Sequence, residues 1–282
     1  MAIIDDIRNR FNKGDLSIKL IYINVVVFLI ATIVQLIAKN GFLTQVLGLP
    51  SNLPSFITKP WTLFTYMFLH VRAMHLLFNM LMLWVVGQFF FRYFGDKAFA
   101  QFYFLGGLCG GVFYVLFQFI YPQSSLLMGA SAAIYSVLFA MVAYKQDLKV
   151  KLMFIQEPVK LMYVAIGFIV LGFIFNAENI GGNISHVGGA VFGYLYMKQF
   201  ERGQTLSGFF NSIFGGLKPK KKSNLHVKKN AKPPRDDYEY AEWKKQREAR
   251  TNQILEKISR SGYNSLTDEE KAFLFQQKGG EK

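Results

Sequence analysis

Six apolar stretches of about bilayer-crossing length divide the first 200 residues, at residues 18–38, 74–91, 99–121, 126–144, 161–175 and 184–200. A bilayer core offers the backbone no water to bond, so apolar runs of this length must satisfy their peptide groups internally. They therefore predict helices. With 52% hydrophobic and only 18% charged residues, the chain is too apolar for an ordinary soluble domain of its size. The expected fold is an all-α polytopic membrane protein with six transmembrane helices and a small cytosolic helical C-terminal extension. Residues 1–17 hold Asp5, Asp6 and Asp15 and show no small-residue cleavage site. They read as a cytosolic segment ahead of a retained anchor.

Charge sets the expected orientation. With the N-terminus in the cytoplasm, only Lys39, Lys59 and Arg72 fall on the outer side of the spans. Arg8 to Lys19, Arg92, Lys97 and the basic connection from Lys145 to Lys160 fall inside. This is the positive-inside bias, and six spans return the tail to the cytoplasm. Arg72 interrupts an apolar run that is too long for one span. Placing it at the interface leaves a long outer connection that holds Leu47, Leu49, Phe56 and Trp61 and reads as a loop partly in the outer leaflet.

The domain organisation predicted is residues 1–17 as the N-terminal segment, 18–202 as the six-span domain, 203–236 as a basic linker and 237–282 as a small helical module. About half of the +14 formal charge lies beyond residue 200, which points to anionic membrane lipids as partners of the tail rather than to nucleic acid. Gly262 closes a helix that begins near Asp237, and Thr267 with Glu270 forms a capping box. Cys109 is the only cysteine, so intramolecular disulfides and Cys-based zinc sites are excluded. No H-E-x-x-H motif, metal cluster or cofactor motif occurs, and no metal or cofactor is expected.

The polar residues of the spans carry the functional reading. His75 and Asn79, Ser131, and His186 each lie near the beginning of an even-numbered span, at one depth in the outer half of the membrane. Polar groups are costly there and mark function by default. Serine needs a neighbouring base to become a nucleophile, and neutral imidazole is a suitable one. Gly189 and Gly193 lie three and seven residues beyond His186 and would let its helix press close to that of Ser131. Tyr135, one turn beyond Ser131, would stack on the imidazole. His75 and Asn79 share one helix face and, with the Ser131 N–H, could stabilise an oxyanion. No Asp or Glu lies within any span, so a Ser-His dyad is predicted rather than a triad. The four glycines at 106, 107, 110 and 111 read as close packing. A transporter, the rival of different class, would show internal repeats or broken, charged helices, and no repeat is evident.

With those residues in view, the chain resembles the rhomboid family of intramembrane serine proteases over about residues 18–200. The resemblance rests on Phe68-Leu69-His70 followed by His75-Leu76-Leu77-Phe78-Asn79, on Gly129-Ala130-Ser131-Ala132 with Tyr135, and on Ser185-His186-Val187-Gly188-Gly189 with Gly193. It implies Ser131 as nucleophile, His186 as base, His75 and Asn79 at the oxyanion, and single-span membrane proteins as substrates, cut near the outer end of the substrate helix. It also implies a multi-pass protein of a bacterial cytoplasmic membrane with both termini inside. The alternative is a rhomboid-like protein that binds membrane helices without cutting them. Two positions depart from the family pattern. Ala132 replaces a glycine after the nucleophile and is expected to change what fits beside it, and Trp61 is followed by Thr62 instead of arginine.

Overall fold

The computed structural model describes residues 2–122, 124–151, 156–203, 237–262, 265–267, 269–271 and 273–274, and the chain divides into two compact units, 1–218 and 219–282. Most of the predicted 203–236 linker lies outside the described residues. The first unit begins with α1 (Ala2–Lys13), an element that hydropathy does not signal because charges interrupt its apolar residues. Asp6 and Arg10 pair at 2.9 Å one turn apart along it. Asp15 then caps α2 (Leu16–Ala38) by accepting from the Ile18 N–H, and Lys39 in the left-handed region ends it. The Leu16 N–H donates to Asp96 Oδ1 at 2.9 Å, which ties the start of α2 to the start of the helix that begins at Asp96.

The long outer connection is folded rather than an open loop. It forms α3 (Phe42–Leu47), β1 (Leu49–Pro50), α4 (Leu53–Thr58), α5 (Thr62–Thr65) and a 3₁₀ turn at Tyr66–Phe68. Its pieces are stitched by side-chain donors to backbone carbonyls. Trp61 Nε1 reaches Val46 O and Thr65 Oγ1 reaches Leu47 O, both at 2.8 Å. Thr62, the residue after Trp61, is buried and donates to Lys59 O at 2.6 Å.

Next come α6 (Ala73–Phe90), α7 (Asp96–Phe117), β2 (Leu126–Leu127), α8 (Ser131–Tyr144), the hairpin β3 (Lys149–Val150) with β4 (Val159–Lys160), α9 (Leu161–Phe175) and α10 (Ile180–Phe200). Among the described residues three helices, α2, α6 and α7, are long and apolar enough to cross a membrane, and α8 and α9 are shorter apolar helices. The described part of the first unit is thus a mostly helical membrane body.

Where boundaries differ from the hydropathy reading, packing gives the reason. The run at 126–144 is not one helix, because β2 pairs antiparallel with β1, Leu49 against Leu127 and Pro50 against Leu126. Gly129 then turns the chain at φ +116, a conformation that L side chains rarely adopt. The α8 that remains has 14 residues, about 21 Å at 1.5 Å per residue against a hydrocarbon core of about 30 Å. It can be short because it is interior, with ten of its residues buried. By contrast α10 starts at Ile180, earlier than expected, because the Asn179 side chain accepts from the Gly182 N–H and caps it there. Likewise α7 starts at Asp96 and ends at Phe117 rather than spanning 99–121.

The core gathers around α8, against which α6, α7, α9 and α10 all pack. Glycines set the spacing. A Cβ on Gly106 would collide with Ser136, and one on Gly111 would lie 2.7 Å from Leu63. Ser136 Oγ donates to Phe102 O and Tyr66 Oη to Gly107 O, at 2.7 and 2.6 Å. Such interhelical bonds in membrane proteins average about 0.6 kcal/mol each, so close packing carries the assembly and the bonds fix its register.

In the second unit, α11 (Asp237–Ser261) ends where Gly262 takes φ +77 and returns its N–H to Ile258 O at 2.8 Å. The Thr267 N–H donates to Glu270 and the Glu270 N–H to Thr267 Oγ1, at 2.7 and 3.3 Å, a reciprocal capping box. Lys257 Nζ meets both Glu270 oxygens at 2.9 Å. Those bonds, Lys257 first and then the Thr267 N–H, hold the Glu270 carboxyl below the usual carboxylate range. Ile254 and Leu266 are buried, and the Arg250 guanidinium lies 5.0 Å over the Phe273 ring.

Candidate active site

Ser131 is the first residue of α8, placed by the turn at Gly129 and by the bonds that hold the strand before it. The Gly129 N–H donates to Tyr66 O at 2.9 Å, and the β1–β2 pair fixes residues 126 and 127. A helix N-terminus leaves its first N–H groups without intrahelical partners, so the Ser131 amide lies where a developing anion is favoured.

Ser131 Oγ lies 2.7 Å from His186 Nε2 across 55 residues of chain. The close approach comes from glycine. A Cβ on Gly189 would run into the Ala132 carbonyl, and one on Gly193 into the Ser136 carbonyl, so α10 meets α8 backbone to backbone along the face beneath the imidazole. Both glycines are buried. The Tyr135 ring stacks on His186 with centroids 4.8 Å apart and planes at 23°, so the ring is held from one face. Among the described residues His186 makes no hydrogen bond to a carboxylate, and no group of three or more His, Cys, Asp or Glu side chains could hold a metal ion.

His75 and Asn79 face the same space. The His75 ring lies against the turn before the serine, such that a Cβ on Gly129 would sit 2.7 Å from His75 Cε1. Asn79 is buried, and its Nδ2 donates to His75 O at 2.8 Å. Among the described residues its Oδ1 finds no partner. Ser131, His186, Tyr135, His75 and Asn79 line one cleft of about 1130 Å³, walled by Phe78 and Met82 of α6 and Phe168 of α9.

His70 was missed as a site residue by the reading of the polar span positions, because it precedes α6 rather than lying within it. It is fully buried, packs on His75 with centroids 5.1 Å apart, and its Nε2 accepts a long bond from the Ala130 N–H at 3.5 Å. It thus supports the loop that delivers Ser131. The signal available was its place in the run His70, His75, Asn79, a buried-polar spacing leading into a span.

Ala132 corrects one expectation. Its methyl packs toward Gly110 of α7, where a Cβ on Gly110 would lie 2.6 Å from it, and the residue is buried and absent from the cleft lining. The extra methyl fills a helix interface and does not narrow the space beside the serine.

This arrangement, a hydroxyl bonded to an imidazole with amide and side-chain donors nearby in a cleft lined by polar and apolar residues alike, suits acyl transfer through a serine nucleophile. The family model for the Rhomboid domain matches residues 58–201, just over half of the chain. A second model, a family of unknown function (DUF6576), matches residues 236–276. The chain is similar to the rhomboid protease GluP of Bacillus subtilis (strain 168), 34% identical over 134 residues, which is 48% of this chain and 25% of that protein. The similarity therefore spans a quarter of that relative's length.

Proposed function

The chain belongs to the rhomboid family, and from that premise we propose that it is an intramembrane serine endopeptidase that cleaves single-span membrane proteins near the outer side of the membrane. The observation that carries this reading is the 2.7 Å contact between Ser131 Oγ and His186 Nε2 inside an apolar helical domain.

His186 Nε2 accepts the Ser131 proton as Oγ attacks the scissile carbonyl, and the imidazolium then gives that proton to the leaving amine. Developing negative charge on the carbonyl oxygen meets the Ser131 N–H, the His75 ring and the Asn79 N–H that is not spent on His75 O. Water, activated by the same imidazole, then hydrolyses the acyl-enzyme. Stacking by Tyr135 takes over the orienting work that a buried carboxylate would do in a triad.

The six crossings are α2, α6, α7, α8, α9 and α10, with both termini in the cytoplasm of a bacterial cell and the cleft opening outward. The distribution of Lys and Arg supports this orientation. The basic stretch beyond α10 binds anionic lipid. A helix-binding protein without hydrolytic activity is the alternative, and the intact hydroxyl–imidazole contact weighs against it.

The test is covalent labelling of the detergent-solubilised chain by a fluorophosphonate. Wild type is expected to label and Ser131→Ala not to. Equal labelling of the two, or none of wild type while it stays folded, overturns the reading.

A further inference from the structure

At the mouth of the cleft stands a charge that the hydrolytic machinery does not use. Arg72 is exposed, lines the cleft with Ser131 and His75, and occupies the N-cap position of α6 without making a capping bond. Among the described residues it forms no ion pair and no cation–π contact. Local electrostatics give it nothing in return. The start of a helix is its positive end, where a cation is disfavoured, and an arginine in an outer connection runs against the positive-inside bias. The contrast is Glu178, the other charged residue lining the cleft besides Arg72. It sits just ahead of α10, where a helix start favours an acid, so its place has a local explanation. That of Arg72 does not, and what faces Arg72 is the space a bound chain would occupy.

We propose that Arg72 is a specificity-determining residue that selects substrates bearing an aspartate or glutamate in the stretch beside the scissile bond. This rests on the cleft being the peptide-cleaving site proposed above. Phe78, Met82 and Phe168 form apolar walls of the cleft, while Arg72 on its lining is exposed. The guanidinium there meets the part of a substrate that has left the hydrocarbon, where acidic side chains are tolerated. A pair formed in so solvated a place is weak and salt-sensitive, so the expected preference is about 2- to 5-fold. It acts through binding, in KM rather than kcat.

The full chain is reconstituted with single-span reporters that differ only by Asp, Asn or Lys, scanned residue by residue through the stretch flanking the cut. Wild type is expected to favour Asp over Asn at one or more positions through KM, with the preference shrinking at about 1 M salt, where the screening length falls to about 3 Å. Arg72→Gln should lose the preference, and Arg72→Glu should turn it toward Lys. An unchanged Asp-to-Asn ratio in Arg72→Gln overturns the proposal. So does a common slowing of all three reporters, which would make Arg72 a contributor to folding or to the chemistry itself. The same panel is measured for binding to Ser131→Ala. Acid-selective binding that depends on Arg72, found together with a wild type that neither cuts nor takes fluorophosphonate, overturns the hydrolase reading and with it the placement beside a scissile bond, while selection of acidic chains by Arg72 stands. Binding blind to charge overturns this one whatever the cutting shows.

Discussion

Asn79 enters the cleft with half of its amide committed, since Nδ2 donates to His75 O at 2.8 Å and leaves one N–H for a ligand. With the Ser131 amide and His75 as remaining donors, Asn79→Ala is expected to lower kcat by about 10²-fold, the low end for losing one oxyanion donor. Reporter KM should move little, and steady-state kinetics separate the two. A raised KM with kcat intact would make Asn79 a substrate contact instead. Ala132 leads to the opposite expectation. Its methyl fills the space at Gly110, so Ala132→Gly should cost about 1 kcal/mol of stability from the lost burial and the added backbone freedom, read as a lowered thermal midpoint. Substrate preference should not change, and a changed preference would place that methyl in the cleft after all. At this scale Ser131 and His186 were legible because a polar residue in an apolar run stands out. The direction of the Ala132 methyl was not legible, because it depends on which helix arrives opposite, and neither was the support from His70, because the residue lies outside any span.

Helix α10 carries its imidazole on a glycine face, and that face could be read from spacing alone because small residues three or four apart mark where helices can touch. The start of α8 could not. It is set by β1 pairing with β2 between residues far apart in sequence, and hydropathy sees only an apolar run that continues through both. The glycine face gives a sharper test than a bulky replacement would. A single methyl on Gly189 already meets the Ala132 carbonyl, which is backbone and cannot swing aside. Gly189→Ala is therefore expected to push α10 off α8, costing about 1–3 kcal/mol as overpacking does. Because a displacement near 1 Å at a reacting pair can cost about 10²-fold in rate, cleavage should fall at least that far with Ser131 and His186 both present. Gly167→Ala on α9, where a new Cβ meets nothing within 4 Å, is the matched control and should keep the wild-type rate while gaining about 0.5–1 kcal/mol of stability. Equal behaviour of the two variants would mean that the α8–α10 contact does not set the geometry of the serine and the imidazole.

Across the whole molecule, polar chemistry and polar surface are kept apart. The 1–218 unit holds Ser131 and His186 half-buried and Asn79 buried within an apolar helical body, and among the described residues the 219–282 unit carries a charged helix with Ile254 and Leu266 buried. The second unit holds itself together with the Lys257–Glu270 pair and the Thr267 box, and the groups it spends on that are not arranged as a nucleophile and a base. The family model that covers the cleft ends at residue 201, and a separate one takes up residues 236–276. If the work is divided in this way, a chain ending at residue 218 should keep Ser131-dependent cleavage of a minimal reporter in detergent at close to the full-length kcat. In liposomes loss of the basic tail should show as weaker association with anionic lipid, since each Lys or Arg close to such a surface is worth about 1 kcal/mol. Comparing rates of the two chains in neutral detergent and in vesicles with and without anionic lipid separates these effects. Should the shortened chain fold and bind the reporter in detergent but fail to cut it, the tail would have to act on the conformation of the Ser131–His186 pair, and the separation of the two units would not hold for function.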